Sequence, residues 1–360
     1  MISSVKERDM KALADYQNTL MSNPKLRYIF FELTDKCNLQ CLHCGSNCDS
    51  KKNTFLTFDA VRNTLQSIAR EYDPDEVMVC LTGGEPMLHP ELFEIIVLAR
   101  RMGFPVGITT NGTLINDASA RKLSHSGLNT VAISIDGTKE IHDAFRCCPG
   151  SFDKAMSGIM ALKHNGIEPQ VMTVASKANL HDLPALGDYL QSKGIYSWRI
   201  TNIDPIGRAQ INDSLLFSAV EIRELLSFIR DMRYSQKVEM EVTYGCSHFL
   251  TYDYEREVRD FYFQCGAGIL VGSVMANGDI GACLDIERRR DLIQGNIYKD
   301  DFMTIWNNRF EIFRINKAER SHLCAGCVYK DVCRGDSAHT WDYDLDEPRY
   351  CLAGGDKPLC

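Results

Sequence analysis

The chain has 360 residues, 44% of them hydrophobic and 24% charged, and a formal net charge of −8 at pH 7. This length exceeds what one hydrophobic core usually supports, so we expect more than one domain. The acidic charge argues against a nucleic-acid-binding surface, and the longest apolar stretches, such as Gly268 to Ala276, are far shorter than the about 18 residues of a membrane span.

In chain order, residues 1–26 are polar with scattered apolar positions, which predicts one or two amphipathic helices. From Tyr28 onward, apolar β-branched runs alternate with segments of helical period. The predicted strands are Tyr28 to Leu33, Val77 to Leu81, Val106 to Thr109, Thr130 to Ile135, Gln170 to Ala175 and Ser197 to Ile203. The predicted helices are Phe58 to Glu71, Pro90 to Arg101, Asp117 to Ser124, Ser151 to His164 and Leu183 to Lys193. Six strands alternating with helices imply parallel βαβ units, with functional groups at the carboxyl ends of the strands.

Three cysteines, Cys37, Cys41 and Cys44, stand as C-x3-C-x2-C directly after the first predicted strand. The chain has 15 cysteines, an odd number without a cleavable apolar leader, so a disulfide framework is unfavoured and a reducing cytoplasm is expected. A zinc site usually takes four ligands in two pairs, which is a different spacing. Closely spaced cysteines hold iron–sulfur clusters, and three ligands leave one iron of a [4Fe-4S] cluster open. We therefore predict such a cluster at this loop.

The cysteine loop resembles that of the radical S-adenosylmethionine (SAM) enzymes, whose cluster reductively cleaves SAM to a 5′-deoxyadenosyl radical. A second feature agrees with this resemblance. The second predicted strand runs into Gly83-Gly84-Glu85-Pro86, which resembles the motif that holds the amino group of SAM's methionine moiety in this family. Adjacent glycines also form ordinary turns, which is the alternative for this segment alone. The resemblance implies a partial (β/α)6 barrel and assigns Gly83, Gly84 and Glu85 to SAM binding.

Polar residues also follow later strands. By the same resemblance, Ser134 and Asp136 belong to the SAM pocket, and Arg146 resembles the arginine that meets the SAM carboxylate. A guanidinium group offers the bidentate geometry that a carboxylate needs. The segment from Asp204 to Arg208 resembles a family segment at the end of the barrel, and a simple turn is its alternative role.

Beyond a predicted connecting helix from Phe217 to Tyr234, cysteine, glycine and aromatic residues become more frequent. This part of the chain resembles the SPASM extension of radical SAM enzymes, which binds one or two auxiliary iron–sulfur clusters. The resemblance rests on the ordered cysteines Cys265, Cys283, Cys324, Cys327, Cys333 and Cys351. A zinc ribbon of Cys324, Cys327 and Cys333 with His322 or His339 is the alternative.

One position departs from the SPASM pattern, because Ser337 stands where a further cysteine is expected. The second auxiliary cluster keeps four candidate ligands, namely Cys324, Cys327, Cys333 and Cys351. The first cluster retains Cys265 and Cys283, with Cys246 as a candidate third ligand. An oxygen ligand from Asp336 or Ser337, an open iron, and an empty first site remain as alternatives.

The predicted fold class is α/β, with a partial (β/α)6 radical SAM barrel followed by a small cysteine-rich α+β SPASM domain. The expected units are an N-terminal helical extension (1–26), the radical SAM core (27–215), a connecting helix (216–240) and the SPASM domain (241–360). The sequence does not indicate a catalytic acid or base.

The leading functional hypothesis is hydrogen abstraction from a peptide or protein substrate, as in the maturation of a ribosomal peptide by crosslinking, dehydrogenation or epimerisation. A small-molecule radical SAM dehydrogenase is the second hypothesis. A non-catalytic iron–sulfur electron-transfer protein is the third, although it does not explain the Gly83-Gly84-Glu85 strand end. Expected partners are the substrate and a flavodoxin or ferredoxin electron donor, with a separate leader-peptide-binding protein as a further candidate; no nucleic-acid or membrane partner is expected.

Overall fold

The structure is a computed structural model that describes residues 4–235, 239–245, 248–349 and 351–352. Within these residues the helices α1 to α11 are Ser4–Ser22, Phe58–Ala69, Leu92–Arg101, Asp117–His125, Lys139–Phe145, Ser151–His164, Leu183–Ser192, Ala219–Tyr234, Tyr252–Val258, Phe302–Asn308 and Lys330–Cys333. The strands β1 to β12 are Tyr28–Glu32, Met78–Thr82, Val106–Thr110, Thr130–Ser134, Gln170–Ala175, Ser197–Asn202, Glu241–Tyr244, Val271–Val274, Asp279–Gly281, Gly295–Asn296, Trp341–Asp342 and Glu347–Pro348.

The main sheet has the strand order β10-β9-β8-β1-β2-β3-β4-β5-β6-β7. Strands β1 to β6 pair with their sequence neighbours in parallel, which confirms the predicted run of β/α units. The sheet extends further than the six strands that the sequence pattern indicated. Strand β7 pairs in parallel with β6, and β8 pairs in parallel with β1 before β9 and β10 continue antiparallel. These added strands are short, so their sequences carry too few alternations to be assigned from periodicity.

The hydrophobic core follows the expected alternation. Ile29 and Phe31 of β1 are fully buried. On α2, Val61, Leu65 and Ile68 recur at helical spacing and are also fully buried, so one face of the helix covers the sheet. Each such side chain stabilises the fold by about 1.5–3 kcal/mol relative to exposure. The same core continues into α10, so the barrel and the C-terminal part share it.

Helix α1 packs against the C-terminal part of the chain. The Arg334 guanidinium donates to Gln17 Oε1 and to Asn18 Oδ1, each at 2.8 Å. In turn, Gln17 Nε2 donates to the carbonyl of Phe263 at 3.2 Å. The sequence predicted a helix here but not its partner.

The connecting helix is present as α8. It begins at the N-cap Ser218, whose hydroxyl accepts from the N–H of Glu221 while the Glu221 carboxylate accepts from Ser218 N. This reciprocal capping box satisfies donors that a helix start leaves unpaired. Within the described part of the chain, no helix has both the length and the apolar character needed to cross a bilayer.

Candidate functional site

The cysteine loop that follows β1 has the features of a cluster-binding loop. Cys37 and Cys41 are buried and Cys44 is half-buried. Each of the three Sγ atoms accepts from a nearby nitrogen: Leu39 N lies 3.4 Å from Cys37 Sγ, Arg146 Nη1 3.5 Å from Cys41 Sγ, and Cys48 N 3.4 Å from Cys44 Sγ. Hydrogen bonds to sulfur are among the means by which proteins tune iron–sulfur clusters.

The protonation of Cys37 and Cys41 also suits a cluster. Burial raises the pKa of Cys37 to about 12, and burial likewise raises the pKa of Cys41. Such thiols become thiolates only beside a compensating positive charge, which iron supplies. Within the described residues, no three Cys, His, Asp or Glu side chains are close enough to share a single metal ion. Cysteines that bind different irons of a cluster need not converge on one point, so the donor set fits a cluster.

The glycine pair after β2 lies against the base of the cysteine loop. The N–H of Gly84 donates to Thr34 O at 2.6 Å, and the N–H of Glu85 donates to Lys36 O at 2.9 Å. Gly83 has a φ of +151°, and a Cβ added to Gly84 would lie 2.2 Å from Lys36 O. Only glycine permits this approach. The two motifs that the sequence analysis identified are therefore joined by backbone hydrogen bonds.

Glu85 is fully buried at the same edge of the sheet. Its carboxylate accepts from Thr110 Oγ1 at 2.7 Å, from Asn111 N at 2.8 Å and from Met87 N at 3.0 Å. Burial raises the pKa of Glu85 above its usual value. A carboxylate has about four acceptor sites, so these donors orient it and leave room for one further N–H group.

Asp136 and Arg146 form a buried ion pair, with Arg146 Nε 2.5 Å from Asp136 Oδ2. Burial opposes ionisation of Asp136, but the Arg146 guanidinium together with His43, His142 and the Val174 N–H outweighs it, so the pKa of Asp136 lies below its usual value. Ser134 is half-buried at the end of β4, two residues before Asp136. Because Arg146 also contacts Cys41 Sγ, it joins the predicted SAM pocket to the cysteine loop.

The segment after β6 supports the cysteine loop from the other side. The N–H of Arg208 donates to Cys44 O at 3.0 Å, and its guanidinium donates to Cys41 O at 2.7 Å and to Cys48 O at 2.9 Å. A Cβ at Gly207 would lie 2.3 Å from Gly45 O. The sequence left the role of this segment open, and the structure shows it packed against the loop.

The SPASM part also contacts the cysteine loop, through an ion pair that the sequence analysis missed. Arg288 donates to both carboxylate oxygens of the buried Glu32, at 2.6 and 3.0 Å, and to Ser46 Oγ at 2.6 Å. Glu32 ends β1, and it also accepts from Ala276 N at 3.1 Å. We call Glu32, Ser46 and Arg288 the loop clamp. No local pattern signals this clamp, because its two charged members are 256 residues apart.

The four cysteines assigned to the second auxiliary cluster lie together. Cys324, Cys327, Cys333 and Cys351 line one cavity, together with apolar side chains such as Phe249. Burial raises the pKa of Cys333 well above that of a free thiol, so this site too favours metal-bound thiolates. The residues fit an iron–sulfur cluster held by four cysteines.

Neither histidine of the zinc alternative joins these cysteines. The side chain of His322 is 79% exposed, and its Nδ1 lies 3.1 Å from Glu347 Oε1. His339 is buried, and its Nε2 lies 3.4 Å from Asp204 Oδ2. Neither histidine lines the cavity of the four cysteines. The zinc-ribbon alternative is therefore wrong in the arrangement that the sequence suggested.

The candidate ligands of the first auxiliary cluster are only partly described. Cys265 Sγ accepts from Ala338 N at 3.3 Å, and Cys283 Sγ lies 4.0 Å from Asp285 Oδ2. Cys246 lies outside the described residues.

The two oxygen ligands considered for that cluster are engaged elsewhere. Asp336 pairs with His248 Nδ1 at 2.7 Å and accepts from Phe249 N at 2.8 Å. Ser337 Oγ lies 2.8 Å from Thr340 Oγ1. Protein hydrogen bonds thus use the oxygens that the sequence analysis offered as ligands.

Comparison with known families agrees with this geometry. The family model described as the radical SAM superfamily matches residues 31–190, and the model of the SPASM iron–sulfur cluster-binding domain matches residues 265–328. Together these ranges cover more than half of the chain. The chain belongs to the radical SAM superfamily and carries a SPASM domain. Its cofactors are accordingly SAM, the [4Fe-4S] cluster of the barrel and auxiliary iron–sulfur clusters.

Individual relatives differ in what they make. The AdoMet-dependent heme synthase of Methanosarcina barkeri is 29% identical over 91% of this chain and 96% of its own length. The mycofactocin maturase MftC of Mycolicibacterium smegmatis is 28% identical over 85% of this chain and 76% of its own. The crystal structure of Streptococcus suis SuiB bound to S-adenosylmethionine superposes with a TM-score of 0.74 at 16% identity, covering 91% of this chain and 77% of that one. The similarity to SuiB, at this low identity, is a similarity of fold alone.

Proposed function

We propose that this radical SAM enzyme dehydrogenates or crosslinks a peptide substrate held between the barrel and the SPASM domain. The observation that carries the catalytic part is the convergence of the cysteine loop, the Gly83–Glu85 strand end and the Asp136–Arg146 pair at one edge of the sheet. When bound, a [4Fe-4S] cluster with an open iron supplies the electron that cleaves SAM to methionine and a 5′-deoxyadenosyl radical, which abstracts hydrogen from the substrate.

The chain's own residues would bind and orient the reactants. Cys37, Cys41 and Cys44 hold the cluster in this proposal. Gly83 and Gly84 leave space for close backbone approach, and Glu85 offers its remaining acceptor site to the ammonium of SAM's methionine moiety. The hydroxyl of Ser134 and the Asp136–Arg146 pair provide hydrogen-bonding groups for the rest of SAM.

The SPASM cysteines complete the ligand assignment. Cys324, Cys327, Cys333 and Cys351 would hold the second auxiliary cluster, because they line one cavity. Cys265 and Cys283, with Cys246, are the candidate ligands of the first. A flavodoxin or ferredoxin is the proposed electron donor, and a separate leader-peptide-binding protein is a further candidate partner.

Charge favours a peptide over a polyanionic substrate. Three carboxylates, Asp204, Asp285 and Asp336, lie near one another between β6 and the SPASM domain, and we call them the acidic seam. Burial raises the pKa of Asp204, His339 and His248 counteract this, and the charges of Asp285 and Asp336 raise it further. A substrate carrying several carboxylates is repelled by such surroundings, whereas the N–H groups of a peptide find acceptors in Asp204 and Asp285.

A tetrapyrrole is the second candidate substrate. It is favoured by the similarity to the heme synthase, which spans nearly the whole of both chains. The heme synthase and the mycofactocin maturase are almost equally distant from this chain, so identity alone does not choose between a tetrapyrrole and a peptide.

The test is an anaerobic incubation of the reconstituted protein with SAM and dithionite, and then with reduced flavodoxin in place of dithionite. Short peptides encoded beside the gene and Fe-coproporphyrin III are supplied in parallel, and 5′-deoxyadenosine and substrate masses are measured. Loss of two hydrogens from a peptide supports the first proposal. In D2O, deuterium uptake by the peptide without other mass change indicates epimerisation, and a mass change of the porphyrin supports the second candidate.

The matched control is Cys41→Ala, which removes one cluster ligand and should abolish 5′-deoxyadenosine. If the wild-type protein with intact clusters forms no 5′-deoxyadenosine, radical SAM catalysis is contradicted and the electron-transfer hypothesis is favoured.

A further inference from the structure

Asp204 lies directly beyond β6, at the edge of the sheet where the cysteine loop is held. Its segment is fixed to that loop, because the N–H of Arg208 donates to Cys44 O at 3.0 Å and its Nε donates to Cys41 O at 2.7 Å. Asn202 Nδ2 lies 3.3 Å from Asp204 Oδ1 and orients the carboxylate. Asp204 therefore occupies a defined position close to the candidate SAM site.

On its other side, Asp204 faces the SPASM domain. Asp204 Oδ2 lies 3.4 Å from Nε2 of His339. The neighbouring Ala338 donates its N–H to Cys265 Sγ, a candidate auxiliary ligand. A substrate that gives up hydrogen at the SAM site and an electron to the auxiliary domain must lie between these two places. Asp204 and His339 face each other there.

The ring nitrogen Nε2 of His339 is buried and lacks a hydrogen-bond partner among the described residues. The side chain is 7% exposed, and Nε2 makes no hydrogen bond to any described residue. A buried donor or acceptor without a partner is costly, and native structures retain few of them. Catalytic hydrogen bonds are often long before the substrate binds and shorten in its complex. At 3.4 Å, His339 Nε2 and Asp204 Oδ2 are too close for a group to lie between them, so a polar substrate group would bind beside the pair and supply the missing partner.

We infer that Asp204 and His339 form the proton-accepting pair of the reaction, with the Asp204 carboxylate taking a proton from an N–H, O–H or S–H group of the substrate. This inference deepens the proposed function and rests on it. It supplies the catalytic base that the sequence did not indicate.

The electrostatic environment of Asp204 agrees with this role. The charged and titratable groups that face it are His339, His248, Asp285 and Asp336, all from the SPASM part. Burial raises the pKa of Asp204, the two histidines oppose the rise, and the two carboxylates add to it. A carboxylate whose pKa lies closer to the working pH is a more effective general base.

The step conserves electrons and protons. Hydrogen abstraction leaves a carbon radical beside an X–H group, where X is nitrogen, oxygen or sulfur. The radical electron and the X–H bonding pair make three electrons. Two of them form the new carbon–X bond, and the third passes to an oxidised iron–sulfur centre of the auxiliary type. The proton passes to Asp204, and His339 then hydrogen-bonds to the protonated carboxyl group.

The inference is tested with Asp204→Asn and His339→Gln in the reconstituted holoenzyme, using the peptide that the wild-type protein converts. We expect 5′-deoxyadenosine formation to be retained while product formation falls by about 10²- to 10⁴-fold, the usual contribution of a general base. The decline of the wild-type rate toward acid pH, caused by protonation of Asp204, should disappear in Asp204→Asn. The exposed Asp213→Asn is the matched control and should behave as wild type.

Two results would overturn the inference. One is an equal fall of 5′-deoxyadenosine and product, which indicates a role in SAM binding or folding. The other is unchanged product formation in Asp204→Asn and His339→Gln. Failure of the wild-type protein to form any 5′-deoxyadenosine is a different outcome, because it contradicts the proposed function itself.

A measurement without substrate tests the same pair. A carboxyl group whose pKa is raised by folding destabilises the protein once the pH exceeds its value in the unfolded chain, about 3.9. Asp204→Asn should therefore unfold at a higher temperature than wild type at about pH 8, with a smaller difference at about pH 5. A lower unfolding temperature at both pH values would assign Asp204 a structural role and overturn the inference.

Discussion

At the scale of single residues, the Asp136–Arg146 pair is the central interaction of the candidate SAM site. Both side chains are buried, and Arg146 uses different nitrogens for Asp136 Oδ2 and Cys41 Sγ. Removing one partner of a buried pair leaves an uncompensated charge, which costs more than the intact pair contributes. The pair is therefore expected to matter for the fold as well as for SAM.

Asp136→Asn should lower the free energy of unfolding by about 3–5 kcal/mol, because Arg146 then stays buried without its counter-charge. Urea denaturation of the reconstituted protein measures this change. Asp153→Asn breaks the exposed pair with Lys139 and should change stability little. A similar, small effect for both variants would contradict the assignment of Asp136 to a strong buried pair.

The effect of Asp136→Asn should depend on pH. The pKa of Asp136 in the folded protein lies below its unfolded value of about 3.9, so its stabilising contribution is fully present above that value. The contribution is lost as the pH falls through the folded pKa. The stability difference between wild type and Asp136→Asn should stay constant near neutral pH and shrink below about pH 4. Denaturation curves at several pH values check this, and a difference that persists in acid would point to packing instead.

At the scale of elements, the end of β2 and the cysteine loop act as one unit. The N–H groups of Gly84 and Glu85 bind the carbonyls of Thr34 and Lys36. The sequence predicted both motifs, because each is a short run of residue types with a local conformational requirement. It also predicted their proximity, because parallel neighbouring strands end at the same edge of the sheet.

Gly84→Ala should displace the cysteine loop, because the added Cβ would lie 2.2 Å from Lys36 O and 3.0 Å from Cys37 Cβ. We expect a loss of about 1–3 kcal/mol in stability and a lower iron content after reconstitution. The control is Gly166→Ala, where φ is +76° but no atom lies within 4 Å of the new Cβ, so the iron content should stay at the wild-type level. Normal cluster loading in Gly84→Ala would show that the loop tolerates the shift.

At the scale of the whole molecule, the SPASM domain is joined to the barrel through the sheet, the core and the loop clamp. Strand β8 pairs with β1, and Arg288 binds Glu32 at the end of that same strand. Helix α1 packs against the C-terminal part through Arg334, so both ends of the described chain meet there. The position of the cysteine loop therefore depends on the auxiliary domain.

Arg288→Gln should destabilise the protein by about 2–3 kcal/mol, less than the loss of a fully buried pair because the Arg288 side chain is 30% exposed. We also expect more 5′-deoxyadenosine to form per molecule of product, because the cysteine loop is no longer held by the loop clamp and SAM cleavage is then less well coupled to product formation. Adding Glu32→Gln should restore part of the stability, since no carboxylate is then left uncompensated. The exposed Arg290→Gln is the control; an equal effect there would exclude a specific role of the clamp.

The sequence alone determined the features that depend on local geometry. The cysteine triplet, the glycine pair and the alternation of strands and helices each occupy a few consecutive residues, so residue type and spacing suffice to identify them. The strands β7 to β10 escaped prediction because they are too short to show a period.

Tertiary structure alone decided which distant residues meet. Three pairs illustrate this: Glu32 with Arg288, Asp204 with His339, and Gln17 with Arg334. All six are ordinary charged or polar residues, and the sequence around each one does not indicate its partner. Their roles arise because folding brings them together away from water, where polar and charged groups interact strongly. The sequence thus determined where the candidate SAM site lies, and the packing of the SPASM domain on the barrel decided which side chains of the two parts meet.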